Sequence, residues 1–355
     1  MRIGQVLTSS TGGIGRHAAS VVHRLVRLGH QVRVCCPPET ARSHGLDRSG
    51  ADVLPLTSIV RLAAADVIHA HGYKAGALVV PVARLRGIPL VVSWHNAVLG
   101  SGRQALVGRI LQRLLARTAN VTLAASSDLV AQAMQYGARD ARLGPVAAPV
   151  LPPPAVPRDA CRGELGLGRD DIMVITVSRL APQKNLGAVL DIARSVRDHP
   201  ELRFMVVGEG PLRTELEARI AADRSQVRLL GHRDDVASLL AAADIALLTS
   251  TWEARALVAQ EALLAGIPLV STRVGGIEEL VGDAAVLVEP GDIAAAVREL
   301  LALAADPHRR AELAALGHKR ASAWPDEDQV VDDLLALYRE LTARSQQQTR
   351  RLGLE

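Results

Sequence analysis

The sequence predicts an α/β protein made of two doubly wound domains that face each other across a cleft. Short apolar runs alternate with amphipathic stretches through both halves of the chain, the order that a parallel sheet covered by helices requires. The run A-A-P-V-L-P-P-P-A-V-P at 147–157, with five prolines, interrupts that alternation. Proline has no amide to donate and disfavours helix in the residue before it, so this run is an extended linker. The length, 355 residues, is that of about two domains.

The first domain is expected over 1–150, with strands at 3–7, 32–36, 53–54, 67–70, 90–93, 121–124 and 141–143. Between the first two strands, 17–28 has helical spacing and stops at Gly29-His30. The linker occupies 151–157, and a second α/β series fills 158–325, with strands at 173–178, 203–207, 227–229, 245–248, 269–271 and 285–288. A terminal helix over 326–343 belongs to a final segment, 326–355, that can pack back on the first domain. Its polar tail, S-Q-Q-Q-T-R-R, is expected to fray. No repeat of 20–50 residues is evident.

Composition narrows the function. With 48% hydrophobic and 22% charged residues the chain can bury cores and is not disordered. Aromatics are only 2%, so Ala, Val and Leu fill those cores, and the stacking platforms of a single-strand nucleic-acid binder are missing. No nucleic-acid partner is expected. A net charge of +4 suits an anionic small ligand or a membrane surface. The three cysteines include the adjacent pair Cys35-Cys36 and have no C-x-x-C spacing, which points to a reducing cytoplasm. The opening residues lack the apolar core of a signal peptide and read as a strand, and no run of 18 apolar residues could span a bilayer.

The chemistry concentrates at strand ends. Glu253 and Glu261 bracket E-A-R-A-L-V-A-Q-E, between the apolar run at 244–250 and the turn Gly266-Ile267-Pro268. This is a βα unit, in which ligands bind at the carboxyl end of the strand. Glu253 falls in the loop, and Glu261 about two turns into the helix on the same edge. After the first strand, T-S-S-T-G-G-I-G-R-H lets the backbone approach a ligand and aim amides at an anion. It is not a clean G-x-G-x-x-G, and no acidic residue ends the second strand, which counts against a dinucleotide enzyme. In V-S-R-L-A-P-Q-K-N, Arg179 and Lys184 flank a turn at a strand end, a fork of donors and a compact charge suited to a diphosphate. No D-x-D stands at a strand end to hold a divalent ion. His69-x-His71 lacks the carboxylate or thiol partner of a metal site, so neither metal nor cofactor is expected.

These motifs, together with G-E-G-P at 208–211, G-H-R-D-D-V at 231–236, V-G-G-I-E-E-L at 274–280 and S-W-H-N at 93–96, resemble in order and spacing the retaining glycosyltransferases of family 4. The resemblance spans almost the whole chain and implies the GT-B fold, with an acceptor-side first domain and a second domain that binds the nucleotide sugar. It implies that Arg179 and Lys184 hold the donor diphosphate. Gly12 and Gly13 belong to the loop that closes on phosphate and acceptor, Glu261 to the ribose site, and Glu253 and His95 to the reacting sugar. Ala254, Arg255, Ala256 and Leu257 form the donor-sugar loop. The expected activity is transfer of a sugar from a UDP- or GDP-sugar, as substrate, to an unidentified acceptor that is lipid-linked or part of the cell envelope.

The chain departs from the family at Ala254-Arg255-Ala256, where a small residue, an aromatic and a glycine are usual. Two fates are open for Arg255: contact with an anionic sugar or acceptor, or solvent. In the stretch 100–118, Leu106, Val107, Ile110, Leu111, Leu114 and Leu115 share a face, and Arg103, Arg109, Arg113 and Arg117 add four charges. A helix packed in the core with solvated arginines is the ordinary reading, and a peripheral contact with anionic lipid through 103–117 the alternative. Two rival functions fit the same fold. A sugar-nucleotide 2-epimerase would form an epimer from donor alone, and a non-catalytic scaffold would bind nucleotide sugar without turnover.

Overall fold

The computed structural model describes residues 1–351 other than Thr11, Pro145, Ala148 and Pro149. The chain divides into two compact units, Met1–Ala147 with Pro325–Glu355, and Ala148–Trp324. Ala148 and Pro149, within the proline run, lie outside the described residues; the described remainder enters a helix at Pro157 through extended backbone.

Unit 1 contains β1 (Arg2–Leu7), β2 (Gln31–Cys35), β3 (Asp52–Leu54), β4 (Val67–His71), β5 (Leu90–Trp94), β6 (Val121–Ala124) and β7 (Ala141–Leu143). They form one sheet in the order β3-β2-β1-β4-β5-β6-β7, every pair parallel. The helix Gly13–Arg27 begins before the periodic stretch at 17–28, because glycine is tolerated in a first turn, and its chain leaves through Gly29 at φ 80°.

Unit 2 contains β8 (Ile172–Val177), β9 (Leu202–Val207), β10 (Val227–Gly231), β11 (Ile245–Leu248), β12 (Leu269–Thr272) and β13 (Val286–Val288), in the order β10-β9-β8-β11-β12-β13, again parallel. Successive residues of a strand feed opposite cores. Met173, Ile175, Met205 and Val207 join one cluster, and Val174, Phe204 and Val206 the other. Continuous apolar runs are therefore what these strands need. Both sheets are doubly wound, Rossmann-like layers.

The last helix, Glu327–Arg351, contributes Val330, Val331, Leu334, Leu335, Leu337, Tyr338 and Leu341 to the same core as Ile3, Leu7, Val22 and Val67. The helix runs on through the polar residues 345–351, since Gln, Thr and Arg contain no breaker and the first glycine is Gly353.

Tyr338 is fully buried, and its hydroxyl meets Gln5 Nε2 at 3.3 Å and His69 Nδ1 at 2.6 Å. Tyr338→Ala is expected to destabilise unit 1 by about 3–5 kcal/mol, and Tyr338→Phe by about 1–3 kcal/mol, because two buried partners lose their bond. Hydrogen exchange at the amides of β1 and β4 measures both.

Candidate active site

In unit 2 the chain reverses direction of winding between β8 and β11, so the loops leaving their carboxyl ends part and leave a crevice. Arg179 and Lys184 follow β8; Glu253 follows β11. Backbone and side-chain bonds staple the two loops together. The Thr251 amide donates to the Gln183 carbonyl at 2.8 Å, the Thr249 hydroxyl reaches the carbonyls of Lys184 and Asn185 at 3.1 Å, and Gln183 Nε2 donates to the Trp252 carbonyl at 2.7 Å. Lys184 Nζ is thereby delivered to Glu253 Oε1, which also accepts from Ser250 Oγ at 2.7 Å. The two charged side chains are 22% and 9% exposed, so their attraction is little screened.

The glycine motifs serve these loops. Gly208, at φ 131°, sits so close under the Arg179 turn that a Cβ would lie 2.0 Å from the Ser178 carbonyl oxygen. Gly275, at φ 51°, leaves room for the Glu253 carbonyl, which a Cβ would meet at 2.0 Å and which accepts from the Gly276 amide at 2.8 Å. G-E-G-P and V-G-G are thus close-approach devices.

Arg179, earlier in the same loop as Lys184, is exposed. Ala254 and Ala256 bury their methyls, so only their backbones can face a ligand. Ala256 is the N-cap of the helix Leu257–Leu264, which has no side-chain cap and no acid in its first turn, an arrangement open to an anion. Leu257 begins that helix and Glu261 lies half-buried along it. Arg255 is half-buried over the Trp324 ring, 5.9 Å from its centroid, and burial holds its guanidinium down at about 10. Its Nε and Nη2 have no hydrogen-bond partner among the described residues.

Unit 1 has its own reversal, between β1 and β4. There a cavity of about 740 Å³ is bounded by residues leaving β1, β4 and β5 and by the helix Arg103–Thr118. Gly12, extended at φ −117°, caps the helix that Gly13 begins, and Ile14 from the next position lines the cavity. His95 also lines it. The His95 ring stacks on His71, with centroids 5.7 Å apart, and lies edge-on to His17 at 5.6 Å; His71 in turn stacks on His69 at 4.3 Å.

Sequence reasoning missed the network beneath this cavity. Gln5 Nε2 donates to the Tyr338 hydroxyl, which donates to His69 Nδ1, so His69 Nε2–H donates to Ser93 Oγ at 2.7 Å. Gln5 Oε1 accepts from His71 Nε2–H at 2.9 Å. The H-x-H spacing was a signal, but its partners come from β1, β5 and the last helix. Burial lowers His17 to about 4 and His69 to about 3, and holds His71 and His95 well below their usual value. Among the described residues no group of three or more His, Cys, Asp or Glu side chains could hold a metal ion.

The ordinary reading of 103–117 as a core-packed helix is corrected. Leu115 is fully buried, but Leu106, Val107 and Ile110 are each 54% exposed and Leu114 43%. Among the described residues, no helix is long and apolar enough to cross a membrane.

Comparison with known proteins gives two family matches: glycosyl transferases group 1 over residues 157–320, and a glycosyl transferase 4-like domain over residues 12–148. The chain is 32% identical over 325 residues to D-inositol 3-phosphate glycosyltransferase of Geodermatophilus obscurus, covering 79% of this chain and 68% of that one. It is 26% identical over 297 residues to UDP-Gal:alpha-D-GlcNAc-diphosphoundecaprenol alpha-1,3-galactosyltransferase of Escherichia coli, covering 79% and 76%. Among solved structures, Anabaena Alr3699/HepE in complex with UDP and glucose superposes with a TM-score of 0.84 at 20% identity, over 96% of this chain and 99% of that one. That likeness speaks to the fold.

The neutral histidines make unit 1 acid-sensitive. The unfolded chain binds protons near 6.5, whereas His17 when folded resists until about 4, so stability is present above 6.5 and falls as the pH drops toward 4. His69, His71 and His95, kept neutral by burial, add to the loss in the same direction. Denaturation of β1 and β4, followed by hydrogen exchange from pH 7 to 4.5, is expected to show this loss.

Proposed function

This chain belongs to the glycosyl transferases of group 1, and from that premise we propose that it moves a sugar from a nucleoside diphosphate sugar to an acceptor hydroxyl, with retention and without a metal ion. The observation that carries this reading is the Lys184–Glu253 pair, set at the reversal of the unit 2 sheet beside an uncapped helix. Breaking a glycosyl–phosphate bond builds negative charge on the leaving diphosphate and positive charge on the sugar. Arg179, Lys184 and the amides opening the Leu257–Leu264 helix stabilise the first. Those fixed positive groups do the work a divalent ion would otherwise do.

Glu253 stands at the boundary between the two charges. Neutralised by Lys184 and held by Ser250, it orients hydroxyls of the donor sugar. When the diphosphate arrives, it competes with Glu253 for Lys184. Glu261 takes the ribose hydroxyls, Gly12 and Gly13 close on the phosphate, and His95 lies beside the transferred sugar. Retention follows if the acceptor attacks from the face the diphosphate leaves. The donor is a UDP- or GDP-sugar; a structure of HepE with UDP-glucose, a fold neighbour, makes UDP-glucose the first probe.

The acceptor is lipid-linked or cell-envelope material reached by peripheral contact with an anionic membrane. Support comes from the exposed stripe of Leu106, Val107, Ile110 and Leu114 on a helix that also carries Arg103, Arg109, Arg113 and Arg117. Apolar side chains insert at the headgroup boundary while arginines meet anionic lipid, at about 1 kcal/mol each.

Calorimetry with UDP and turnover with UDP-glucose test the donor site. Glu261→Ala is expected to weaken UDP by about 1.5–3 kcal/mol. Glu253→Gln leaves UDP binding unchanged or tighter, because Lys184 is released, yet lowers turnover about a hundredfold. EDTA leaves turnover intact. The opposite pattern in the two variants would exchange the roles of the glutamates, and loss of turnover in EDTA restored by manganese would overturn the metal-free mechanism.

Sedimentation with vesicles tests the membrane contact. The protein is expected to pellet with phosphatidylglycerol vesicles at low salt, to be released as salt rises, and to stay in the supernatant as Leu106→Glu/Ile110→Glu. Equal binding to neutral vesicles, or no effect of the substitutions, would sink the contact.

A further inference from the structure

Ser10, in the loop that follows β1, has each of its polar groups tied down. Its amide donates to Thr40 Oγ1 at 3.3 Å, its carbonyl oxygen lies 2.9 Å from His44 Nε2, and its Oγ accepts from the Gly15 amide at 3.0 Å. A carbonyl can only accept, so His44 carries a proton on Nε2. Thr40 lies on the helix Pro38–Ser43 and His44 is its C-cap, with the His44 amide donating to the Thr40 carbonyl at 3.3 Å. A spacing of four puts both side chains on one face, so a single helical turn grips the peptide groups before and after Ser10. That turn is itself fixed. Thr40 and Ala41 are buried, and beyond Gly45, at φ 66°, Leu46 is fully buried in the unit 1 core.

The third glycine of T-G-G-I-G belongs to the same arrangement. Glycine inside a helix is destabilising relative to alanine, and Gly15 is the third residue of the helix Gly13–Arg27. A Cβ there would lie 2.1 Å from His44 Nε2, 2.5 Å from its Cδ2 and 2.7 Å from its Cε1. Gly15 therefore seats the imidazole, and alanine could be accommodated only by moving the ring and breaking its bond to Ser10.

Ser10 faces the candidate site and His44 stands behind it. Ser9, Ser10 and Ile14, on either side of Gly12 and Gly13, line the unit 1 cavity, whereas His44 is not among its described lining residues. We propose that His44 is a positioning residue for sugar transfer: acting through Ser10 and seated on Gly15, it holds the glycine turn in the conformation that closes on the donor phosphate. The inference rests on the transferase reading above, which gives Gly12 and Gly13 that closure, and adds the residue that sets their backbone. Glycines left to themselves sample many conformations. A turn already ordered by its own protein meets the phosphate without that loss, and the saving appears as affinity. His44 itself contributes no atom to the donor.

The test uses the full chain, ¹⁵N-labelled at histidine for its tautomers, and calorimetry with two probes, UDP and uridine. His44 is expected with its proton on Nε2, and the wild-type chain is expected to bind UDP more tightly than uridine. His44→Ala weakens UDP about fivefold and leaves uridine unchanged, because the turn meets only the phosphates. His44→Gln, whose amide can donate to the same carbonyl, restores most of the UDP affinity. Gly15→Ala reproduces the loss by displacing the ring, in a helix that alanine favours, and decides the question if His44→Ala does not fold. In Gly15→Ala/His44→Ala the two losses do not add, since both remove one bond. A neutral His44 with its proton on Nδ1 overturns the proposal. So do wild-type UDP affinity in His44→Ala or Gly15→Ala, a loss shared equally by uridine, or losses that add in the double variant. Each of these leaves the transferase reading standing. A wild-type chain that binds UDP no more tightly than uridine overturns that reading and this inference with it.

Discussion

A parallel strand covered on both faces has one place for chemistry, its carboxyl end, and both units obey that constraint. Seven strands in unit 1 and six in unit 2 are packed between helices, so their side chains are mostly apolar and polar ones such as Gln5, His69 and Ser93 are buried. Polar function is displaced into the loops, and the reversals at β1/β4 and β8/β11 part those loops into crevices. Arg179, Lys184 and Glu253 in one unit, and His71 and His95 in the other, stand where they do because of strand order.

The two units treat buried polarity in opposite ways. Unit 2 pairs charge with charge: Lys184 and Glu253 neutralise each other, and Ser250 satisfies a further lone pair. Such a pair contributes little net stability, but it holds the charged side chains of two loops in register. Unit 1 keeps its groups neutral. Burial refuses protons to four histidines, and Gln5, Ser93 and Tyr338 engage three ring nitrogens of His69 and His71. A neutral network of this kind rigidifies the floor of a cavity whose described lining includes Lys74 and Arg103 and no Asp or Glu.

The last helix is central to that division. Tyr338 lies 333 residues from Gln5 in the chain and touches it in the core. Its hydroxyl selects the proton positions of His69 directly and, through Gln5, of His71. A helix that looks like a structural closure therefore also fixes the proton positions of buried imidazoles on the strand Val67–His71.

Much was legible in the sequence because it is local. Short continuous apolar runs gave the strands within a residue or two, and glycine spacing marked the turns at 208–211 and 274–276, where backbones approach their neighbours closely. The identities of Glu253, Glu261, Arg179 and Lys184 stood out from motif order. What tertiary structure decided is pairing between distant segments. Lys184 and Glu253, 69 residues apart, were read as serving diphosphate and sugar separately, and only the stapled loops make them one electrostatic unit. Arg255 was left between ligand and solvent, and packing over Trp324 takes it partly out of solvent. The helix 103–118 shows the limit most plainly: periodicity identifies an apolar face, but whether a face is covered depends on what the rest of the chain brings to it, and here four large apolar residues remain exposed.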